Sequence, residues 1–277
     1  MAEPEVAVAG KGPLIYRQRL WTRLTHWIWA VCLFFLMASG LTIFNAHPTL
    51  NIGLESGFDY DNAVLEIGAR NSDAGPVGYT RIFGAEFDTT GVLGYSGPAD
   101  DRRARAFPAW ATIPSYQSLA SGRVVHFFFA WLLVTTLTVW LVASIVNRHI
   151  RDLAIGRADI AALPSDIANH ARLRFHHTRE YNVLQKLAYA SVLFVALPLM
   201  IATGLTMSPN FNATAPWLLE VFGGRQTARS IHFAVMLLLI GFFIVHMLMI
   251  LAAGPINELR SIVTGWYRID PPTGKES

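Results

Sequence analysis

The sequence predicts an all-α integral membrane protein, a four-helix transmembrane bundle with a long extracytoplasmic loop between helices 1 and 2. Three observations predict it. Of 277 residues, 53% are hydrophobic and only 15% charged, where a soluble domain carries about 25% charged residues; the mean hydropathy is accordingly positive, at +0.37. The remaining charge is gathered between four apolar runs, each long enough to cross a hydrocarbon core of about 30 Å. A stretch of Gly, Asp, Glu and scattered aromatics, residues 46–121, separates the first run from the second. Residues 1–277 therefore read as a single membrane-embedded domain.

The runs lie at about 25–44 (Thr25–Phe44), 122–146 (Gly122–Val146), 183–207 (Val183–Met207) and 227–253 (Thr227–Ala253). As helices they satisfy their own backbone hydrogen bonds, which lipid requires. The first is long for a signal-peptide core, and Asn45-Ala46-His47-Pro48 is a poor cleavage context. Pro198 falls inside the third run, where a kink is expected rather than a break. Cys32 is the only cysteine, so no internal disulfide forms, and there is no C-x-x-C-H for covalent haem attachment. The net charge of +3 gives no reason to expect a nucleic-acid partner.

Basic residues cluster before the first run (Lys11, Arg17, Arg19, Arg23) and between the second and third (Arg148, Arg151, Arg157, Arg172, Arg174, Arg179, Lys186). By the positive-inside rule both termini are expected in the cytoplasm, and Ala46–Ser121 outside it. The aromatics of that loop (Phe58, Tyr60, Tyr79, Phe83, Phe87, Tyr95, Phe107, Trp110, Tyr116) favour an ordered cap over a disordered linker.

Four of the nine histidines, His26, His126, His232 and His246, fall in or at the edge of the apolar runs. An ionisable ring there is a functional candidate by default, although a single one is as often interhelical glue. Their arrangement decides between the two readings. His232 and His246 are fourteen positions apart, so they project from nearly one helix face about 21 Å apart. One metal ion cannot bridge that distance. At the depth of each lies one histidine of another helix: His26 level with His246 near the cytoplasmic end, His126 level with His232 near the outer end. Two bis-histidine haem sites require this pattern. The segments Arg23-Leu24-Thr25-His26-Trp27, Arg123-Val124-Val125-His126-Phe127 and Arg229-Ser230-Ile231-His232-Phe233 also share R-x-x-H-aromatic. Residues three apart share a helix face, so Arg23, Arg123 and Arg229 are placed to reach haem propionates, the bland alternative being that they snorkel to the interface. Finally, Met37-Ala38-Ser39-Gly40-Leu41-Thr42 echoes Ile201-Ala202-Thr203-Gly204-Leu205-Thr206; Gly40 and Gly204 let helices approach or let a macrocycle lie against backbone, and close helix packing is the expected reason.

With R-x-x-H-W in the first helix, G-R-x-x-H in the second and two histidines fourteen apart in the fourth, the chain resembles the cytochrome b561-like dihaem cytochrome b subunits that anchor formate dehydrogenases, nickel–iron hydrogenases and thiosulfate reductases. The resemblance covers about Arg17 to Gly265. It implies two haem b, with His26 paired to His246 and His126 to His232, in a multi-pass protein of the bacterial inner membrane. It also implies a partner, an extracytoplasmic oxidoreductase subunit of molybdopterin type, and a membrane quinone, menaquinone or ubiquinone, as substrate. Tyr181-Asn182-Val183-Leu184-Gln185-Lys186 resembles the family's Y-N-x-x-Q-K segment at the cytoplasmic quinone site, which implies quinone contacts by Asn182, Gln185 and Lys186; on spacing alone the segment is an ordinary polar helix start. His149, His170, His176 and His177 read as loop residues, with His176 and His177 also placed to relay protons, and His47 as facing a partner or nothing. The long outer loop departs from the formate dehydrogenase type.

The expected role is an electron-transfer subunit that oxidises or reduces quinone at its inner side and carries no other catalytic residues. Two alternatives compete. A stand-alone transmembrane haem reductase typically draws two ligands from each of two helices, unlike the one, one and two found here. A haemless transporter or scaffold would use the histidines structurally.

Overall fold

The computed structural model describes residues 12–57, 60–73, 75–175, 177–178 and 181–271, apart from the side chains of His149 and Asp152; Lys11, Phe58, His176 and Arg179, named above, lie outside them. In chain order the elements are β1 (Leu14–Tyr16), α1 (Leu20–Phe44), β2 (Thr49–Asn51), β3 (Ala63–Ser72), β4 (Gly75–Ile82), β5 (Ala85–Asp88), β6 (Tyr95–Ser96) and β7 (Arg103–Ala104). Then follow α2 (Leu119–Val146), α3 (Arg157–Ala171), α4 (Val183–Ser191), α5 (Leu197–Thr206), α6 (Pro209–Thr214), α7 (Trp217–Val221), α8 (Arg225–Ala253), α9 (Pro255–Thr264) and β8 (Trp266–Arg268). Short 3-10 turns occupy Ala109–Ala111 and His149–Leu153.

Four helical stretches are long and apolar enough to span a membrane: Leu20–Phe44, Leu119–Val146, Val183–Thr206 and Arg225–Ala253. They coincide with the four apolar runs. Three begin two to five residues earlier than the runs, because the polar and charged residues at the boundary remain helical while their long side chains reach the interface. In the third span, Val192–Ala196 widens into a π-turn in which the Leu197 N–H reaches the Val192 carbonyl. Pro198 has no N–H to give the turn before it, and a π-bulge is one known way for a helix to absorb that loss.

The all-α expectation is corrected between the first two spans. Residues 49–88 form a four-stranded antiparallel sheet of order β2-β3-β4-β5, with a smaller β6–β7 pair after it. The turn between β4 and β5 has only two residues, Phe83 and Gly84, both at positive φ (47° and 83°). Such turns match the twist of the flanking strands.

The chain forms two compact units. The first comprises the described residues of Met1–Ile28, Thr136–Leu197 and Leu239–Ser277; the second comprises those of Trp29–Thr135 and Pro198–Leu238. In the first unit β1 pairs antiparallel with β8. The turn into β8 needs Gly265, whose φ is +90°. A Cβ there would come within 2.5 Å of the Tyr16 ring and 2.8 Å of the Gln18 carbonyl. Helix α3 is held against α4 by an ion pair of 2.9 Å between Lys186 and Asp159 and by the Asp166 carboxylate, which accepts the Val183 N–H at 2.9 Å.

In the second unit Phe44, Leu50, Ile67 and Ala106 are buried together, with Phe107 and Phe233 packed against them. The first turns of α8 fasten β2 and its flanks. The Gly53 carbonyl accepts from the Gln226 and Thr227 amides (3.1 and 3.3 Å), the Gly53 N–H donates to Thr227 Oγ1 (2.8 Å) and Ser230 Oγ to the Asn51 carbonyl (2.8 Å). The first amides of a helix have no partner within it, and here the β2 region supplies one.

Candidate haem and quinone sites

The four intramembrane histidines meet in two pairs. In the first unit, His26 on α1 and His246 on α8 have ring centres 6.4 Å apart, with planes at 50°. In the second, His126 on α2 and His232 on α8 are also 6.4 Å apart, at 56°. Rings in direct hydrogen-bonded contact would be closer. Two imidazoles on opposite faces of one metal, each with a nitrogen about 2 Å from it, have ring centres about 6 Å apart. Among the described residues no three His, Cys, Asp or Glu side chains converge on a common point. Two nitrogens are a sparse set for a bare ion; each pair would instead suit a haem, which brings the rest of its iron's ligands with it.

At the His126–His232 pair the ring tautomers follow from the hydrogen bonds. Ser39 Oγ lies 2.6 Å from the Phe35 carbonyl and 3.1 Å from His126 Nδ1. Thr203 Oγ1 lies 2.7 Å from the Leu199 carbonyl and 2.9 Å from His232 Nδ1. A hydroxyl has one proton. Each donates it to its own helix and therefore accepts the imidazole Nδ1–H, leaving Nε2 with a free lone pair. Ser39 and Thr203 are fully buried. Gly40 and Gly204 face the same rings, and a Cβ on either would stand 3.5 Å from the histidine Cε1, an ordinary contact. The histidines therefore do not themselves exclude a side chain there. The echo between residues 37–42 and 201–206 is thus a repeated histidine support, one from α1 and one from α5.

The His26–His246 pair lacks such a hydroxyl. His26 Nδ1 is buried without a hydrogen-bond partner; its ring stands edge-on to Trp27, while Phe242 stacks on His246 with centres 5.7 Å apart. Arg23 Nε is likewise buried without a partner, an open donor one helical turn from His26. The other two arginines of the repeated motif have visible contacts. Arg123 lies over the Phe127 ring at 5.5 Å. Arg229 donates to the Thr49 carbonyl (2.9 Å), His47 Nδ1 (3.0 Å) and the His47 carbonyl, so it and His47 fasten the segment that leads into β2.

In the first unit a cavity of about 210 Å³ is lined by Arg17, His177, Asn182, Gln185, Glu258 and Tyr267, among others. Asn182 and Gln185 form a capping box at the start of α4: the Asn182 side chain accepts the Gln185 N–H at 2.8 Å and the Gln185 side chain the Asn182 N–H at 3.3 Å. The polar helix start and the cavity wall are the same two residues. Lys186 is turned to Asp159. His170, read from sequence as a loop residue, closes α3 and lines the cavity, with Nε2 3.5 Å from the Asn182 amide. Glu258 and Tyr267 carried no sequence signal, because they follow the last span and reach the cavity through α9 and β8.

Residues 103–265 match the prokaryotic cytochrome b561 family. The match contains His126, His232 and His246; His26 precedes it. No individual curated protein matches the chain. With four apolar spans and paired intramembrane histidines already in place, the chain belongs to the prokaryotic cytochrome b561 family, membrane proteins that carry electrons on b-type haem.

Proposed function

We propose that this chain is the membrane electron-transfer subunit of a larger oxidoreductase and holds two b-type haems. His26 and His246 ligate one, His126 and His232 the other. The observation that carries this reading is the equal 6.4 Å spacing of two separate histidine pairs. Haem supplies reversible one-electron chemistry; the protein's part is to orient the imidazoles, exclude water and anchor the propionates. Arg23, Arg123 and the donors left free on Arg229 serve the last purpose. Purified protein should bind two haems per polypeptide and give a b-type reduced-minus-oxidised spectrum. One haem, or none, in folded protein would overturn the reading.

Quinone, menaquinone or ubiquinone, is oxidised or reduced in the cavity beside Asn182 and Gln185, on the cytoplasmic side of a bacterial inner membrane with both termini on that side. The cavity is smaller than the roughly 300–1,000 Å³ typical of ligand pockets, which suits a ring head group with its isoprenoid tail left in lipid. Asn182 and Gln185 retain amide donors for a quinone carbonyl. Lys186 contributes charge near the site while held by Asp159. Asn182→Leu should slow haem reoxidation by a short-chain quinone without altering the haem spectrum.

The partner is an extracytoplasmic oxidoreductase of molybdopterin type that docks on the sheet. Phe83 and Trp110 support this, with 82% and 87% of their surfaces exposed, since aromatic side chains are common interface anchors. Phe83→Ser with Trp110→Ser should abolish co-purification of the partner.

A further inference from the structure

We infer that His177, Tyr267 and Glu258 form a hydrogen-bonded relay carrying protons to and from a quinone head group in the cavity beside Asn182; the inference rests on the quinone reading above. The three side chains come from the segment before α4, from β8 and from α9, and all three line that cavity. They are in series. Tyr267 Oη donates to Glu258 Oε1 at 3.0 Å, and His177 Nδ1 lies 2.7 Å from Tyr267 Oη. The phenol has one proton and gives it to Glu258, so it accepts His177 Nδ1–H. His177 Nε2 is then the entry point for a proton.

The surroundings suit transfer more than mere packing. Tyr267 is only 3% exposed. Burial, and after it Glu258, push its pKa up, so it remains a neutral phenol that takes and gives a proton together. The Arg17 guanidinium lies over its ring at 4.4 Å and over the Tyr181 ring at 4.6 Å, fixing the phenol in place. The exposed Asp270 accepts the His177 N–H with its carboxylate and donates its own N–H to the His177 carbonyl, both at 2.9 Å, which holds His177 at the surface end. The other charged or titratable groups lining the cavity are Asp166, His170 and Arg174. His170 is outside the series, its Nδ1 being taken up by the Asp166 carbonyl at 2.8 Å.

In quinone reduction a proton binds His177 Nε2, the Nδ1 proton passes to Tyr267 Oη, and the phenol proton passes to Glu258. The carboxylic acid then protonates a quinone oxygen. Two passes, with two electrons supplied by b-type haem, convert quinone to quinol; quinol oxidation runs the same bonds in reverse.

The test uses the full-length, haem-loaded protein in proteoliposomes. Dithionite-reduced protein is mixed with a short-chain ubiquinone or menaquinone analogue in H₂O and D₂O, and binding of the same analogue is titrated separately. Tyr267→Phe keeps the ring against Arg17 and removes only the hydroxyl. It should slow reoxidation about tenfold or more while analogue affinity stays within about twofold. Glu258→Gln should do the same and should abolish a protonated-carboxyl band in the reduction-induced infrared difference spectrum. Added imidazole should restore His177→Ala. The relay is overturned if the analogue binds and both Tyr267→Phe and Glu258→Gln keep the parent rate and solvent isotope effect. A different failure, in which Asn182→Leu and Gln185→Leu leave both analogue binding and rate unchanged, would overturn the quinone site and the relay with it.

Discussion

One proton on each of two hydroxyls decides how the second histidine pair presents itself. Ser39 and Thr203 direct that proton to the carbonyl four residues back, so His126 and His232 both carry their proton on Nδ1 and keep a free lone pair on Nε2. An acceptor on Nδ1–H also makes an imidazole a stronger donor to a ferric ion. Thr203→Val, close in shape but without the acceptor, should therefore raise the midpoint potential of the His126–His232 haem and weaken its binding by about 10- to 100-fold, leaving the His26–His246 haem as it was. Redox titration and haem quantitation check both halves. The echo of residues 37–42 in residues 201–206 was visible in the sequence, but its purpose was not. The rings it supports lie 87 and 29 positions away, and no local pattern records which helix a hydroxyl faces.

Among the elements, the four spans were legible because apolar length alone defines them. The sheet was not. The two-residue turn between β4 and β5 is Phe83-Gly84 rather than Asn-Gly, and the two longest strands, β3 and β4, are largely half-exposed, so their sequence alternates weakly. Two elements suggest experiments. At Gly204 in α5, alanine would improve helix propensity by up to about 1 kcal/mol, and its Cβ would touch His232 at an ordinary distance. If only helix packing mattered, Gly204→Ala would be harmless. A macrocycle lying against bare backbone instead predicts loss of haem with helix content unchanged, read by absorbance against circular dichroism. Between α3 and α4, Asp159 is held below the ordinary carboxylate pKa, first by the Gly156 N–H and then by Lys186. A depressed carboxylate stabilises the fold above its unfolded pKa of about 4 and loses that effect as pH falls through the lower, folded value. Hydrogen-exchange protection across residues 157–171, taken relative to the intrinsic rate at each pH, should fall as pH drops below about 4, and Lys186→Met should move that loss to higher pH.

At the scale of the whole molecule, depth along the helices matches histidine with histidine. His26 and His246 belong to one compact unit, His126 and His232 to the other. His26→Ala and His246→Ala should each leave about half the haem, with matching spectra and potentials, and His126→Ala and His232→Ala should match one another. A double variant within a pair should keep one haem, and one drawn from both pairs should keep none. Matching of His26→Ala with His232→Ala would overturn the pairing. Periodicity and hydropathy put at equal depth the rings that the structure brings within 6.4 Å of one another, because a helix converts sequence distance into depth. They could not foresee Glu258 or Tyr267, which reach the cavity only after the chain has left its last span and turned back at Gly265.

The bonds between β2 and the start of α8 have a mechanical consequence. The Thr49, Asn51 and Gly53 carbonyls all end on residues 226–230, and Phe233 packs against the sheet's buried face. A load on the strands is therefore felt two residues from His232, on the same unbroken helix. Anything that grips the sheet also tugs on an imidazole, and the absorption band of a haem held by that ring would become a strain gauge for the grip.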